Sequence, residues 1–469
     1  MPLLLVPPTR RRPPPVPGAG VVFAGLLLMM LSGGLQGSLV SLRGGIEGFS
    51  EAALGIVAAS YYVGFVAGTW WGPSVVRAVG HVRVFSALAS LASASVLVHL
   101  LTIHPVTWSL VRALTGLSVA GLYVVVESWL NDLATNETRG RVLGLYAIVT
   151  AAGLGGGQVL LVTADPGGIE LFLLASILVS LALVPIALGA RSTPHIAEPS
   201  PMGLGAVLAA APLGVVGAAG AGLAHSAVIG LGAVYARDTG HSLEQTAAFM
   251  AVCILGGVVL QMPLSRASDH RDRRGVIAAA ALAAAGIAAL IAVTAPTGLG
   301  LLAAAGLFGA LAWPMYSLSI AHTNDWLSRE QMIGASATLV LAAGAGSIVG
   351  PLLASVAMSL IGPAGLFATL ALSYLVVGLY ALHRMTVRPM APRQRPAVAV
   401  AVLARTVAVT SAVRPARRHR GGWREPSALG HRRAVRTRPH RRGPRRRGGP
   451  SRLPAHDTSA AGGPAQPTA

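Results

Sequence analysis

The feature that most constrains this chain is a series of apolar runs, each about 20 residues long, separated by short clusters of charged residues. At 1.5 Å per residue, a helix of that length crosses the roughly 30 Å hydrocarbon layer of a bilayer. Lipid offers no hydrogen-bond partners, so such a run has to be helical. Only 11 % of the residues are charged, against about 25 % in soluble domains. These observations predict an all-α integral membrane protein.

The apolar runs number twelve. The predicted spans, numbered 1 to 12 in chain order, are 20–42, 51–74, 83–103, 107–130, 142–163, 169–190, 208–235, 244–265, 276–294, 298–322, 332–357 and 364–384. Ser50 and Ser242 stand where helix N-caps belong, and Ser242 with Gln245 forms a capping-box pattern.

The distribution of arginine predicts the orientation of these spans. With the N-terminus in the cytoplasm, the inner loops hold 13 Arg before the tail is counted, whereas the outer loops hold only Arg43 and Arg237. Inner loops of membrane proteins carry an excess of basic residues. We therefore place both termini in the cytoplasm and expect a multi-pass protein of the bacterial inner membrane. No cleavable signal peptide is evident.

A polar pattern occurs twice in the chain. Residues 131–141 read NDLATNETRGR and residues 324–334 read NDWLSREQMIG. A shift of 193 residues superimposes further pairs, among them Gly116 with Gly309, Tyr123 with Tyr316, Asn131 with Asn324, Asp132 with Asp325, Glu137 with Glu330, Gly153 with Gly346 and Gly157 with Gly350. The pattern predicts two six-helix halves in the same orientation, with a substrate site between them near the middle of the membrane.

This repeat defines the expected domain organisation. A cytoplasmic segment, 1–19, precedes the N-terminal half, 20–190. A cytoplasmic linker, 191–207, leads to the C-terminal half, 208–384, and the remainder, 385–469, forms a tail.

Three motifs resemble those of the major facilitator superfamily across about residues 20 to 385. The loop after span 8, SRASDHRDRR, is similar to the loop signature G-x-x-x-D-R-x-x-R-R, with Ser265 in the Gly position. Span 4 carries R-x-x-x-G at Arg112 and Gly116, and span 11 carries G-x-x-x-G-P ending at Pro351. The loop after span 2 departs from the signature because it has no Asp. The stretch GLYVVVESWLNDLATNETRGR resembles the YcaD-like branch more specifically.

The resemblance implies a secondary transporter rather than an enzyme, with spans 1, 4, 7 and 10 lining a central cavity. At 100° per residue, Gly116, Tyr123 and Glu127 lie within about 60° of Arg112 on span 4. The four are predicted to form one polar stripe along the substrate path. A charge inside a span costs at least about 3 kcal/mol and is functional by default.

The individual roles in this stripe stay open from sequence. Arg112 either binds an anionic group or tunes a nearby carboxylate, or it bonds carbonyl groups of a broken neighbouring helix. Glu127 either binds a proton or caps the inner gate beside Trp129 and Asn131. Arg112 and Glu127 are roughly 22 Å apart along the helix and cannot pair.

Other polar residues lie at membrane depth. Gln36, His225 and Tyr316 fall in spans 1, 7 and 10 and are predicted to line the cavity. His225 can titrate near physiological pH, but a lone His among small residues is equally compatible with packing. Tyr61 and Tyr62 are interpreted as helix contacts.

The loop after span 8 suggests a gate. Asp269 with Arg273 and Arg274 is predicted to latch the two halves when the cytoplasmic side is closed, since a carboxylate beside a helix N-terminus is favoured. A solvated loop that follows the basic-inside rule is the alternative. The repeated pairs at the inner ends of spans 4 and 10 complete the predicted gate: Asn131, Asp132, Asn324 and Asp325.

The sequence contains no motif for several kinds of chemistry. The single Cys253 permits no disulfide within the chain, and no Cys or His pair has metal-ligand spacing. The sequence indicates no cofactor and no ATPase signature. The energy for transport would then come from an ion gradient. The polar stripe that contains Arg112 suggests the hypothesis that the ion is a proton. We expect a monomer.

The tail explains the net charge of +20, because residues 384–469 hold 20 of the 36 basic residues and only two acids. Its Arg-, Pro-, Ala- and Gly-rich composition predicts disorder. It either binds anionic lipid of the inner leaflet, or binds nucleic acid non-specifically, or is an out-of-frame product of a GC-rich gene. Without interleaved aromatic residues we expect no specific nucleic-acid binding.

The resulting prediction is a secondary active transporter that moves a small, amphipathic or anionic solute by alternating access. Two other classes stay open. A membrane sensor on the same fold predicts ligand binding without flux. A nucleic-acid-binding membrane anchor predicts that truncation after residue 385 abolishes function.

Overall fold

The computed structural model describes residues 19–135, 138–189 and 202–387. Over these residues the chain forms fourteen α-helices and one short 3-10 turn. The helices of the first half are α1 (Ala19–Ile46), α2 (Glu51–Val79), α3 (His81–Leu101), α4 (Pro105–Leu133), α5 (Arg139–Leu160) and α6 (Glu170–Gly189). Those of the second are α7 (Leu204–Ala210), α8 (Pro212–Asp238), α9 (Leu243–His270), α10 (Arg273–Thr294), α11 (Gly298–Ala312), α12 (Met315–Asn324), α13 (Arg329–Ile361) and α14 (Ala364–Val387).

Twelve segments of the described chain are long and apolar enough to cross a membrane, which confirms the predicted number of spans. Span 10 consists of α11 and α12 in succession, with Pro314 between them. The predicted caps are present: the Ser50 hydroxyl accepts from the Ala53 amide, and Ser242 with Gln245 forms the complete capping box.

The ends of the predicted spans differ from the helix ends by up to five residues, as at the end of α9, which reaches His270 instead of 265. Span 7 begins at Pro212 rather than at 208, because a proline has no N–H to donate and starts a helix at its first turn. The residues before it form the short helix α7, which includes the end of the predicted linker. α14 continues to Val387, three residues into the predicted tail. Several parts of the chain lie outside the described residues: residues 1–18, Asn136, Glu137, residues 190–201 and the rest of the tail.

The repeat seen in the sequence also appears in the packing. A Cβ atom added to Gly116 would clash with the Tyr61 carbonyl of α2, and one added to Gly309 would clash with the Cys253 carbonyl of α9. Positions 61 and 253 are themselves separated by 192 residues. Equivalent glycines thus bring equivalent helix pairs into backbone contact, as small residues do in membranes.

A second pair of equivalent glycines brings α5 against α1 and α13 against α8. A Cβ atom on Gly157 would clash with the Leu31 carbonyl, and one on Gly350 with the Leu223 carbonyl. The two-half architecture of the predicted fold is therefore present in the helix contacts.

Candidate functional site

Arg112 lies buried seven residues after the start of α4, with 8 % of its surface exposed. Its guanidinium carbon stands 4.5 Å from the centre of the Tyr61 ring on α2, which is a cation–π contact. Within the described part of the chain the guanidinium donates no hydrogen bond, its Nε is fully enclosed without a partner, and it forms no ion pair. Arg112 is therefore a buried cation held only by an aromatic face.

A small pocket adjoins Arg112 between four helices. It is lined by Gly37, Val40 and Ser41 of α1, Val57, Ala58 and Tyr62 of α2, Arg112 of α4, and Ile229 and Gly230 of α8. The lining contains one cation, two hydroxyl groups and mostly small or apolar side chains. Residues of both halves contribute, so the pocket lies at the interface between the two repeats.

The two halves touch beside this pocket. The outer and inner ends of the helices follow from the orientation that the distribution of arginine predicts. The Ser41 hydroxyl of α1 donates to the Gly230 carbonyl of α8. Deeper in α1, a Cβ atom on Gly37 would lie 3.0 Å from Cγ2 of Ile229. Near the start of α2, Gly55 lies against the Ser355 side chain of α13. Helices of both halves thus meet in the outer parts of their spans.

The other members of the span-4 stripe contact different helices. Gly116 packs against the backbone of α2. The Tyr123 hydroxyl donates to Met30 Sδ of α1 at 2.8 Å, and the Tyr123 ring meets Phe65 edge-on. The stripe is continuous on α4: Gly116 and Tyr123 share α2 with Arg112, and Tyr123 also contacts α1.

Glu127 is fully buried, with an exposed fraction of 0 %. The Tyr146 hydroxyl of α5 donates to its Oε1 at 2.9 Å. Glu127 therefore links α4 to α5 through this hydrogen bond.

The three remaining cavity candidates lie on α1, α8 and α12. Gln36 is buried; its Nε2 donates to the Ser32 hydroxyl at 2.9 Å, while its Oε1 is enclosed without a hydrogen-bond partner. The half-buried His225 ring lies 4.8 Å from the Trp313 ring. Tyr316 packs against the apolar core around α8 and α12. None of the three is among the residues that line the pocket.

Sequence reasoning missed two features of the site. It interpreted Tyr61 and Tyr62 as helix contacts, whereas the first lies under Arg112 and the second lines the pocket. It also overlooked His99 on α3, whose Nδ1 faces the Ser95 and Val96 carbonyls and whose Nε2 is enclosed without a partner. The available signal was a histidine at membrane depth.

The predicted gate residues form a charged cluster at the inner ends of α9, α10 and α12. Arg273 Nη2 donates to Asp269 at 2.9 Å, and Arg273 Nε donates to Asp325 at 2.7 Å. All three residues belong to the second half, so these ion pairs join helices within that half. Burial raises the pKa of Asp325 above its ordinary value, and the Arg273 charge opposes that effect.

Arg274 pairs with Asp272, which occupies a variable position of the loop signature. Its Nη2 binds Asp272 at 2.7 Å, and its Nη1 donates to the Arg384 carbonyl at the end of α14 at 3.0 Å. The hydrogen bond from Arg274 is the main reason that the pKa of Asp272 lies below its ordinary value. Arg274 therefore ties α10 to α14.

The repeated Asn-Asp pairs end α4 and α12. Asp132 acts electrostatically on His81 at the start of α3, and the His81 ring lies 5.6 Å from the Trp129 ring. Asp325 meets Arg273 at the start of α10, so the aspartates face equivalent helix starts. Asn324 Oδ1 is enclosed without a partner, and Asn131 is partly buried. Among the described residues no cluster of His, Cys, Asp or Glu has the form of a metal site.

The sequence model of the Major Facilitator Superfamily matches residues 21–320 and 215–440. The chain belongs to this superfamily. Its members are transporters and generally not enzymes.

Curated relatives place it in the YcaD branch, as predicted. The YcaD transporter of Escherichia fergusonii, itself described as uncharacterized, is 26 % identical over 334 residues, which cover 71 % of this chain and 86 % of the relative. An uncharacterized MFS-type transporter of Yersinia pestis is 24 % identical over 340 residues, with 72 % and 88 % covered.

Solved structures share the fold at low identity. The nucleoside transporter NupG has a TM-score of 0.66 at 12 % identity, covering 79 % of this chain and 99 % of its own. A D-xylose-proton symporter has a TM-score of 0.60 at 14 % identity, covering 78 % and 96 %. These similarities confirm the predicted fold, and the superfamily member described here is a multi-pass membrane protein of the transporter class.

Proposed function

We propose that this protein is a secondary active transporter that carries a small solute across the bacterial inner membrane by alternating access, as a monomer with both termini in the cytoplasm. The observation that carries the proposal is the contact between the two halves beside the Arg112 pocket. Ser41 and Gly230 bond across the halves and also line the pocket. A site enclosed on its outer side by such a contact is what an inward-directed state of a two-half carrier requires.

Proton coupling rests on Glu127. An ionisable residue inside a span is a functional candidate by default, and this one is fully enclosed with a tyrosine hydroxyl as a donor. A conformational change that brings water to this carboxyl group would change the balance between its protonated and ionised forms. Glu127 is accordingly proposed to take up and release the coupled proton.

The predicted gate is retained in a modified form. Arg273 links Asp269 and Asp325, and Arg274 links Asp272 to α14. These bonds make the inner ends of α9, α10, α12 and α14 one connected unit. We propose that this unit, which includes Asn324 at the end of α12, moves as a body when the inner side opens and closes. Asn131 and Asp132 lie at the inner end of α4 in the other half.

The test is flux in proteoliposomes that contain a pH-sensitive dye. Organic anions, amino acids, sugars and hydrophobic drugs are added in turn under an imposed pH gradient. The expected result is proton movement that depends on one class of compound and is absent from protein-free vesicles. If no compound moves while one of them raises the melting temperature of the protein, the sensor is the better account.

A further inference from the structure

Arg237 and Asp238, the last two residues of α8, lie against the first half of the chain at its outer side. Arg237 Nη2 pairs with Asp238 Oδ1 at 2.7 Å. A Cβ atom added to Gly45, near the end of α1, would clash with the Arg237 guanidinium. A glycine is therefore needed there for a charged group of one half to lie on the backbone of the other. This contact lies in the same outer region as the bond from Ser41 to Gly230.

Glu51, the first residue of α2, meets Asp238 from the first half. A side-chain hydrogen bond joins the two carboxyl groups. An ionised carboxylate only accepts hydrogen bonds, so this bond requires that one of the two groups carry a proton. Within the described residues, Glu51 Oε2 is enclosed with no N–H or O–H donor beside it, and the ion pair of Arg237 goes to Asp238.

The charge balance of this contact depends on that proton. Asp238 and Arg237 are the charged groups that act on Glu51 within the described part of the chain. With both carboxyl groups ionised, two like charges stand side by side and one positive charge faces them. With one proton bound, the contact is neutral and its hydrogen bond is complete. Two carboxylates at this separation ionise together only at a cost, which the bound proton removes.

Other titratable groups at the outer end have partners of their own. Arg43 pairs with Glu47 at 2.6 Å on α1. His241, in the turn after α8, shares its Nδ1 with the Thr239 hydroxyl. The outer part of α13, which packs against the start of α2, has no ionisable side chain in residues 351–361. The balance at Glu51 is therefore set by the two last residues of α8.

We propose that Glu51 and Asp238 form an outer latch between the two halves, which holds the outer side closed when the pair has taken up one proton and is weakened when that proton is lost. The latch rests on the proposed alternating access, since it selects between a closed and an open outer side. External acid is the signal that favours the closed state.

The sign follows from the protons bound in each state. When the outer side opens, the two carboxyl groups separate into water, and Glu51 stays in the first turn of α2, where the helix dipole favours the carboxylate. Both groups are then ionised at neutral pH. Closing takes up one proton, so the ratio of closed to open protein falls by up to about 10-fold for each unit that the pH rises.

The ratio is measured by double electron–electron resonance between spin labels on the two halves. In the full chain with Cys253→Ala, the labels are attached at Leu101→Cys, at the outer end of α3, and Leu360→Cys, near the outer end of α13, which are 80 % and 77 % exposed. The protein is reconstituted in lipid nanodiscs and measured from pH 5 to pH 8. The shorter, closed distance is expected to dominate at pH 5 and to lose population as the pH rises.

Two variants each replace one carboxyl group of the pair. Glu51→Gln and Asp238→Asn place an amide there, which donates to the remaining carboxylate without titrating. In both, the closed-to-open ratio is expected to change by less than about 2-fold between pH 5 and pH 8, because closing no longer takes up a proton. Asp238→Asn also removes the ion pair with Arg237, so Glu51→Gln is the cleaner variant, and either one that folds decides the question.

Two titratable side chains on the same outer side provide matched controls. Glu244, in the first turn of α9, accepts from the Ser242 hydroxyl at 2.6 Å. Glu244→Gln and His241→Gln remove groups that belong to neither half of the outer latch. Both variants are expected to keep the pH response of the wild type.

Three results would overturn the outer latch. The first is a wild type in which two states occur in a ratio that does not depend on pH. The second is a Glu51→Gln variant with the pH response of the wild type. The third is closure at pH 8 by added Na⁺ at constant ionic strength, which would assign the carboxyl pair to a metal cation instead.

Failure of the proposed function gives a different pattern. A single outer distance at every pH, unchanged by any compound that gives flux, would refute alternating access and the outer latch together. Closure that depends on pH, without flux of any compound in proteoliposomes, would keep the outer latch and refute transport. Flux with a ratio of states that ignores pH would keep transport and refute the outer latch.

Discussion

Arg273 Nε lies 2.7 Å from Asp325 Oδ2 and so ties the start of α10 to the end of α12. The Asp of the second Asn-Asp pair thus contacts the start of the neighbouring helix. Asp132 occupies the equivalent helix end of the first half and faces His81 at the start of α3. In both halves an acid at the inner end of one span meets a basic side chain at the start of another.

The first prediction concerns the pH dependence of Asp325. Its pKa is raised, mainly by burial and against the opposing charge of Arg273, so the carboxyl group binds a proton more readily in the native state than in the unfolded chain. The stability this contributes is fully present below the ordinary pKa of 3.8 and is lost as pH rises through the raised value. The melting temperature of Asp325→Asn relative to wild type is therefore expected to increase between pH 4 and pH 7.5. A difference that falls over that range would contradict the assignment.

The second prediction tests the close approach of α2 and α4. Gly116→Ala places a methyl group against the Tyr61 carbonyl, and overpacking of this kind costs about 1–3 kcal/mol. Gly309→Ala, its counterpart in the second half, is expected to be similarly destabilising. Thermal melts in detergent measure both.

The matched control for these glycines is Gly144→Ala on α5, where an added Cβ atom would meet nothing within 4 Å. Ala is favoured over Gly in a helix by roughly 0.5–1 kcal/mol, so this variant is expected to be neutral or stabilising. Equal losses at positions 116 and 144 would show that the clash is not the cause.

The third prediction concerns proton coupling. Glu127→Gln keeps the shape of the buried side chain but cannot exchange a proton, so it is expected to abolish substrate-dependent proton movement while substrate exchange persists. Tyr146→Phe removes the hydroxyl that donates to Glu127 and is expected to shift the pH at which transport is half-maximal. Glu170→Gln, at an exposed position on α6, serves as the control. Unchanged proton movement in Glu127→Gln would assign the coupling elsewhere.

The spans and the helix caps could be predicted from sequence because both depend on local signals. The length of an apolar run predicts a span, and a pattern such as Ser242 with Gln245 predicts a helix cap. Arg112 could be singled out for a similar reason, since a charge in a span is conspicuous in any sequence.

The partners of these residues could not be predicted, because they depend on how helices are rotated against one another. The Gly116 contact fixes α4 against α2 and thereby brings Tyr61 under Arg112. Nothing in the sequence around Tyr61 signals this. Asp272 was missed for a similar reason: the loop signature pointed to Asp269, whereas the cap of α10 places Asp272 on Arg274.

The measurement that tests alternating access most directly is a reversible lock on the outer contact. In a Cys253→Ala background, Gly37→Cys and Ile229→Cys are combined, because Ile229 Cγ2 lies 3.0 Å from the position of a residue-37 Cβ, which suits a disulfide. Gly33→Cys with Ile229→Cys is the control, since Gly33 faces Leu154 instead. With any compound that gives flux, oxidation is expected to stop transport by the first pair, and reduction to restore it. Full flux through protein shown by mass spectrometry to be cross-linked would contradict the account, because the outer contact would not need to open.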